Sequence, residues 1–243
     1  VLDKGHAMFY LVTKLEELGF RWAYRLVDSR FSGVPQRRHR VLLVASRHHD
    51  PRAVLFADEA AREDCDPTTA AGRRHQPING VLRTDAYGFY WTEGFTGLGW
   101  AQDAVPPLKG GSTVGIPSPP GIWLPDAPRG RRLVTPTIED AEALQGFERG
   151  WTESAQTGSR NGPRWKLVGN AVSVGVATWL AGRLYQPGDV VVDSAKLREV
   201  RRWPDAAFGE KGKVWEFQAS HWPITAPYRH LSEVITMEHV QPL

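Results

Sequence analysis

The stretch that most constrains this chain is residues 33–45, which read Gly-Val-Pro-Gln-Arg-Arg-His-Arg-Val-Leu-Leu-Val-Ala. Gly33 and Pro35 punctuate the chain and indicate a turn. The run from Val41 to Ala45 is short, apolar and rich in β-branched residues, which is typical of a buried strand. The sequence therefore predicts a turn that brings a dense basic cluster to the start of a strand.

The basic cluster can be interpreted in two ways. Three arginines and Gln36 crowd the start of the strand, and no acidic residue lies between Arg30 and Arg47 to pair with them. Guanidinium groups suit a phosphate backbone or the polar edge of a base. On composition alone, a solvated charged turn explains the same residues equally well.

Composition limits the class of protein more than its function. A chain of 243 residues can hold one large or two small domains, and its net charge of +3 does not by itself indicate nucleic-acid binding. The single cysteine, Cys65, excludes a disulfide framework and fits a reducing cytosol. We find no signal peptide, no apolar run near the roughly 20 residues of a membrane span and no metal-ligand spacing of histidines. These observations predict a cytoplasmic protein without a metal site.

Local patterns predict a helix and two strands before the middle of the chain. Apolar residues recur at helical spacing over residues 5–18, and Gly19 follows as a C-cap. Residues 20–27 and 40–46 have the composition of strands. Because one helix and two strands would bury little surface alone, we expect them to complete a sheet supplied by other residues.

Residues 47–130 are rich in proline and glycine, and one segment within them suits a nucleic acid. Gly110 and Gly111 would let the backbone approach a duplex closely. Lys109 can pair with a phosphate, while Ser112 and Thr113 can bond to phosphates or base edges. The alternative is a plain glycine turn between strands. Trp91 and Trp100 are predicted to be core residues.

The second half of the chain shows three further helical signals. Thr137 with Asp140 predicts a capping box at a helix start. Asn170 is predicted as the N-cap of a helix that runs to about Leu184, with Val172, Val176, Leu180 and Leu184 on one face. Residues 196–202 are predicted to form a short helix in a C-terminal extension wrapped over the main body.

Three blocks together resemble a known family. Gln36-Arg37-Arg38-His39-Arg40 resembles the Gln-x-Arg-x-Arg block of the DNA cytosine-5 methyltransferases. Residues 143–147, Ala-Leu-Gln-Gly-Phe, resemble the Leu-Gln-Gly-Phe block, and residues 164–172 resemble the block that ends in Gly-Asn-(Ser/Ala)-Val. The blocks occur in the family's order, and the resemblance covers roughly residues 1–185.

The family's Pro-Cys nucleophile motif, its Phe-x-Gly-x-Gly loop and its Glu-Asn-Val motif are not found in this sequence. Cys65 follows no proline and lies between acidic residues, which raise a thiol pKa and oppose the thiolate. In the family all three motifs precede the first block. The resemblance therefore implies the C-terminal part of a methyltransferase, beginning just after the Glu-Asn-Val motif.

The resemblance also implies a division of labour. Arg40 would hold the flipped cytosine by its O2 atom, Arg38 would hold a phosphate or buttress the catalytic loop, and Gln36 would orient that loop. Asn170, Ala171 and Val172 would lie beside S-adenosyl-L-methionine. The expected partners are double-stranded DNA and the upstream catalytic part, either in the same chain or as a separate subunit, in a restriction–modification system.

The implied fold is α/β. It combines the last helix and antiparallel edge strands of a class I S-adenosylmethionine-dependent methyltransferase sheet with a small, loop-rich, mostly-β target-recognition domain. We expect residues 1–47 to end the catalytic domain, 48–165 to form the recognition domain, 166–186 to be a returning helix and 187–243 to be a C-terminal extension.

Two other functions stay open from the sequence. The chain could be a non-catalytic, sequence-specific DNA-binding module, which would bind DNA without any methyl transfer. Its target could also be RNA, because a related branch of the family methylates tRNA. The long proline- and glycine-rich region favours duplex DNA.

Overall fold

The computed structural model of the protein describes residues 5–57, 82–90, 99–110, 119–156, 158, 161–190, 196–198, 203–224, 226–236 and 241–242. The α-helices are α1 (His6–Glu17), α2 (Arg52–Leu55), α3 (Ile138–Gln145), α4 (Gly162–Asn170), α5 (Val174–Tyr185) and α6 (Leu231–Val234). The strands are β1 (Arg21–Asp28), β2 (His39–Ser46), β3 (Tyr87–Phe89), β4 (Ala101–Gln102), β5 (Gly121–Trp123), β6 (Leu133–Thr135), β7 (Lys196–Arg198), β8 (Ala206–Glu210), β9 (Lys213–Glu216) and β10 (Gln241–Pro242).

These elements divide into two compact units. The first unit consists of Val1–Asp28, His39–Pro77 and Thr178–Thr225. The second unit consists of Ser29–Arg38, Ile78–Ala177 and Ala226–Leu243.

The first unit is built on an antiparallel five-stranded sheet in the order β2-β1-β8-β9-β7. Strands β1 and β2 pair from Arg21 opposite Ser46 to Asp28 opposite His39, which confirms the predicted antiparallel pair. Helix α1 packs Val12 with Met8 and Leu15 against Trp22 of β1. The helix closes at Gly19, whose φ of +79° is the left-handed conformation expected of a C-cap.

The C-terminal part of the first unit corrects two expectations. The short helix predicted over residues 196–202 is wrong, because Lys196–Arg198 is strand β7. The extension is also not simply wrapped over the body, since β8 pairs with β1 and carries the sheet on to β9 and β7. At Gly209 of β8 a Cβ atom would lie 2.4 Å from the Trp22 ring, so this pairing depends on a contact that no local pattern reveals.

The second unit contains an antiparallel sheet in the order β10-β6-β5-β3-β4, with α3 and α4 contributing to its apolar core. The predicted capping box is confirmed. The Asp140 amide donates to Thr137 Oγ1 and the Thr137 amide donates to Asp140 Oδ2, both at 3.0 Å. Gly146, at φ +91°, ends α3 in the left-handed conformation.

Two further predictions, those for Asn170 and Trp100, are wrong. Asn170 is the last residue of α4 rather than an N-cap, because the chain turns at residues 171–173 before α5 begins at Val174. Of the four apolar residues predicted to share one helix face, Val172 lies outside α5, whereas Val176, Leu180 and Leu184 lie within it. Trp100 is not a core residue, because 43% of it is exposed where it stacks on Tyr87. Trp91 lies outside the described residues.

By length and composition alone, the stretch Gly162–Tyr185 could cross a membrane. It is, however, interrupted at residues 171–173, so that it forms helices of 9 and 12 residues. Each is shorter than the roughly 20 residues that a membrane span needs.

Candidate functional site

Gln36 lies at the centre of a buried polar network in the second unit. Its side chain is fully buried. Its Nε2 atom donates to the Leu144 carbonyl at 3.1 Å and to Gln145 Oε1, while its Oε1 atom accepts the Leu108 amide at 3.1 Å. The backbone beside it is also held, since the Arg37 amide donates to the Val105 carbonyl at 2.9 Å. Gln36 therefore joins the start of the basic cluster to α3 and to the segment at residue 108.

Arg38 is the second buried member of the same network. Only 5% of it is exposed, and its guanidinium donates to backbone carbonyls. It reaches Ala171 at 2.9 Å, Gly169 at 3.3 Å and Leu108 at 3.5 Å. The charge of Arg38 is thus directed at the end of α4 and at residue 108. A planar guanidinium suits this role, because it presents several donors in fixed directions.

Gln145, at the end of α3, completes the network. Its Nε2 atom donates to the carbonyls of Val168 at 3.0 Å and Ala171 at 2.9 Å. Its Oε1 atom accepts from Gln36 Nε2 and from the Ser173 hydroxyl, the latter at 3.1 Å. Residues of all three sequence blocks singled out above therefore meet in one hydrogen-bonded network.

The end of α4 also touches the glycine segment directly. A Cβ atom on Gly169 would lie 2.2 Å from the Gly110 nitrogen. Glycine avoids this clash because it has no Cβ atom. A Cβ atom on Gly110 would in turn lie 3.1 Å from the Lys166 carbonyl oxygen. Segment 108–110 and the last turn of α4 are therefore packed backbone to backbone.

Lys109 is exposed, and Tyr90 holds both its backbone and its side chain. The Lys109 amide donates to the Tyr90 hydroxyl at 3.1 Å, and Lys109 Nζ lies 4.3 Å from the centre of the Tyr90 ring. This cation–π contact restrains the ammonium at the surface. Of the other predicted DNA-contacting residues, Gly110 is half-buried, whereas Gly111, Ser112 and Thr113 lie outside the described residues.

Arg40 differs from Arg38 in its exposure and in the unit that contains it. It lies in β2 of the first unit, is exposed, and donates through Nη1 to the His39 carbonyl at 2.7 Å. Partial burial lowers the pKa of the Arg40 guanidinium. Because the ordinary pKa of arginine lies far above neutral pH, the group stays charged there.

The predicted cofactor residues lie at the break between α4 and α5. Asn170 and Val172 are exposed, with 59% of Val172 accessible, while Ala171 is half-buried and its carbonyl is bound by Arg38 and Gln145. Hydrogen bonds from Arg38 and Gln145 to the Ala171 carbonyl hold the backbone between Asn170 and Val172.

A second buried ionic cluster supports the same helices. Glu142 of α3 accepts the Thr152 amide at 2.8 Å, the Gly150 amide at 2.5 Å and Arg164 Nη2 at 3.1 Å. Burial alone would raise the pKa of Glu142, but the hydrogen bonds from Thr152, Arg164 and Gly150 outweigh burial and hold that pKa below its usual value. The carboxylate therefore stays ionised and ties α3 to α4 through Arg164.

Among the residues that the structure describes, no group of three or more His, Cys, Asp or Glu side chains is placed to hold a metal ion. Cys65 lies outside these residues.

Comparison with known proteins adds to this geometry. Residues 2–75 match the family model described as C-5 cytosine-specific DNA methylase. The chain is 43% identical over 237 residues to the Type II methyltransferase M2.BsuMI of Bacillus subtilis (strain 168), an alignment that covers 96% of this chain and 58% of that relative. Both findings support the cytosine-5 DNA methyltransferase family for this chain.

A shorter similarity points the same way. Over 61 residues the chain is 34% identical to the Type II methyltransferase M.BanI of Aneurinibacillus aneurinilyticus, covering 25% of this chain and 14% of that relative. No solved structure matches the chain. The chain thus spans little more than half the length of the relative from Bacillus subtilis.

Two features of the chain were not predicted from its sequence. Gln145 was assigned no role beyond the helix that contains it, and Glu142 with Arg164 was not recognised as a pair. Both have signals in the blocks, since Gln145 is the glutamine of Leu-Gln-Gly-Phe and Arg164 begins the third block. Neither signal says what the side chain contacts, because the partners are far apart in sequence.

Proposed function

We propose that this chain supplies the recognition region, the base-holding arginine and one edge of the cofactor site of a DNA cytosine-5 methyltransferase. The enzyme would transfer a methyl group from S-adenosyl-L-methionine to C5 of a flipped cytosine in a specific duplex site. The observation that carries this proposal is the convergence of the three family blocks and segment 108–110 on the network of Gln36, Arg38 and Gln145.

The chemistry gives Arg40 its proposed role. C5 of cytosine is a poor nucleophile, so a cysteine thiolate must first add to C6 and push electron density into the ring. The base must leave the duplex for this to happen. The exposed, charged guanidinium of Arg40 would bind the O2 atom of the base and stabilise the negative charge that develops there. S-adenosyl-L-methionine, when bound, would supply the methyl group. Loss of the C5 proton would then break the bond between C6 and sulfur and release the thiolate.

The cysteine is proposed to come from a separate catalytic part, in the same polypeptide or in another subunit. Cys65 is the single cysteine among the 243 residues, and it is flanked by Asp64 and Asp66. Adjacent carboxylates disfavour a thiolate. We therefore assign Cys65 no role in the reaction.

A class I methyltransferase sheet completed by that catalytic part is also part of the proposal. Strand β2 is eight residues long, contains an apolar run and lies at one edge of the sheet described in the first unit. Such an edge presents backbone groups to a further strand. The functional division into residues 1–47, 48–165, 166–186 and 187–243 stays a prediction.

At the DNA, Lys109 is the proposed phosphate ligand, and segment 109–113 is the proposed point of close approach to the duplex. The exposed position of Lys109 on the Tyr90 ring supports this assignment. For the cofactor, Asn170 and Val172 would line the adenosyl group, and Ala171 would hold them in place through its bound carbonyl. The names of the two relatives support a cytoplasmic restriction–modification role.

The decisive experiment is a reconstitution of methyl transfer. The protein is isolated from its own source under non-denaturing and then denaturing conditions to find the polypeptide that carries a Pro-Cys motif. We expect methyl transfer from labelled S-adenosyl-L-methionine to duplex DNA only when that part and this chain are both present. Transfer by the catalytic part alone, at an undiminished rate and specificity, would contradict the proposal.

The context of Cys65 favours one alternative, a non-catalytic DNA-binding module. That function predicts sequence-selective binding of duplex DNA and no methyl transfer in any reconstitution. Competition between duplex DNA and tRNA in the same assay separates a DNA target from an RNA target.

A further inference from the structure

Building on the proposed function, we infer that Gln145 is a positioning residue that couples segment 108–110 to the break between α4 and α5. Contact with DNA at the segment and contact with the cofactor at the break would then influence each other's affinity.

The coupling runs through two side-chain amides in series. The Leu108 amide donates to Gln36 Oε1, Gln36 Nε2 donates to Gln145 Oε1, and Gln145 Nε2 donates to the Ala171 carbonyl. Both glutamines are fully buried, so water cannot replace a broken bond without entering the interior. The path therefore links the backbone of residue 108 to the backbone of residue 171 in three steps.

The side-chain amide of Gln145 is fully used. Gln145 Nε2 has two hydrogens and donates to two carbonyls, those of Val168 and Ala171. Gln145 Oε1 has two lone pairs and accepts from Gln36 and from Ser173. An amide with all of its donors and acceptors occupied has one orientation, because a flip would place donor against donor. A shift at either end must therefore break a bond that the other end needs.

Two parallel links act on the same pair of segments. Arg38 donates to the Leu108 carbonyl and to the carbonyls of Gly169 and Ala171. Gly169 also packs directly on the backbone of Gly110. Among the described residues of α3, Gln145 is the one that bonds to both Gln36 and the break, so its removal interrupts the path through the two glutamines and leaves both parallel links in place.

The first test measures backbone hydrogen exchange in the full chain without any ligand. Gln145→Met keeps the volume and removes all polar contacts, and we expect the Leu108 amide to exchange about tenfold faster, the effect of losing roughly one hydrogen bond. Leu108 contacts Gln36 rather than Gln145, so this increase reports transmission. Backbone amides of β5 and β6 serve as the internal reference for global unfolding.

Two further variants sharpen this test. Gln145→Glu keeps an acceptor for Gln36 but loses both donors, so exchange should rise more at the Ala171 amide than at Leu108. Gln102→Met is the matched control, because exposed Gln102 bonds only to the carbonyls of Leu82 and Arg83 in the same unit. It should change neither amide. An unchanged Leu108 amide in Gln145→Met, or an equal increase in β5 and β6, would overturn the inference.

The second test uses the assembled enzyme with S-adenosylhomocysteine as the probe. The ratio of its Kd values without and with duplex DNA is the coupling factor, for which about fivefold or more is typical of linked sites. We expect this factor in the unmodified enzyme, a smaller value in Gln145→Met, where only the two parallel links remain, and the unmodified value in Gln102→Met. A factor of 1 in the unmodified enzyme would refute the coupling of ligands. If the probe does not bind at all, the proposed function fails, and the hydrogen-exchange result still decides whether Gln145 links the segments.

Discussion

Arg38 and Arg40 belong to one short block, and the fold uses them in opposite ways. Arg38 is buried in the second unit and directs its guanidinium at the carbonyls of Leu108, Gly169 and Ala171. Arg40 immediately precedes the apolar run of β2 in the first unit and is exposed. The guanidinium of Arg38 thus binds backbone carbonyls in the interior, whereas that of Arg40 lies at the surface.

Because of this difference, the arginines of a basic cluster cannot all be assigned the same role. A buried guanidinium with carbonyl partners contributes to stability, and removing it leaves those carbonyls unsatisfied. An exposed guanidinium contributes little to stability and is available to bind a substrate group. Four variants test this contrast.

Arg38→Ala should have the largest effect. We expect the free energy of unfolding to fall by about 4 kcal/mol, because several charge-assisted hydrogen bonds to backbone carbonyls are lost and those of Leu108 and Gly169 lose this donor in the interior. Denaturant unfolding measures this change, and Arg40→Ala is the matched control. If both variants unfold at the same denaturant concentration as the unmodified chain, the contrast between the two arginines is wrong.

Arg40→Ala should leave the fold intact and impair the reaction. We expect the assembled enzyme to lose about 100- to 1,000-fold in turnover, as when one preorganised charge-stabilising donor is removed. Binding of duplex DNA should stay largely unchanged. Arg47→Ala, at the other end of β2, controls for loss of an exposed arginine. Normal turnover by the Arg40 variant would remove Arg40 from the reaction.

Glu142→Gln tests whether another buried charge in the second unit is also structural. We expect a loss of about 2 kcal/mol in the free energy of unfolding at pH 7, because the neutral amide cannot accept all the donors around Glu142. The pKa of Glu142 is lowered in the folded state from its usual 4.5, so its contribution is fully present above about pH 4.5 and is lost as the pH falls further.

Unfolding measured from pH 7 to pH 3 checks this sign. The stability difference between the unmodified protein and Glu142→Gln should stay constant above about pH 4.5 and shrink below it. A difference that grows on acidification would mean that the pKa of Glu142 is raised rather than lowered by folding.

Lys109→Ala should have the smallest effect. Loss of one phosphate contact should reduce the slope of the logarithm of DNA affinity against the logarithm of salt concentration by about 1, with little change in stability. Lys213→Ala, an exposed lysine of β9 in the first unit, is the control. Equal salt slopes for the unmodified chain and Lys109→Ala would show that Lys109 binds no phosphate.

Much of the local structure was predictable. Apolar spacing predicted α1, the basic cluster followed by Val41–Ala45 predicted β2, and Thr137 with Asp140 predicted the start of α3. Each of these signals lies within a few residues of the structure that it specifies. The site assignments carried by the family blocks stay predictions, although the structure brings members of all three blocks into contact.

The errors have a common physical cause. Asn170 has the side chain of an N-cap but ends α4, because residues 171–173 are bound by Arg38 and Gln145 from distant parts of the second unit. Residues 196–198 join a sheet through β9 rather than forming a helix. In both places tertiary contacts outweigh a weak local preference.

The amino-acid sequence alone shows the resemblance to the family, the order of its blocks and the elements encoded by local pattern. Tertiary structure alone decided which arginine of the basic cluster is buried, how the extension from β7 to β9 enlarges the first sheet, and that Gln145 bonds to both other blocks. The physical reason is that local periodicity and capping act over one or two turns of chain. Burial and hydrogen bonding depend on partners that only the folded chain brings together.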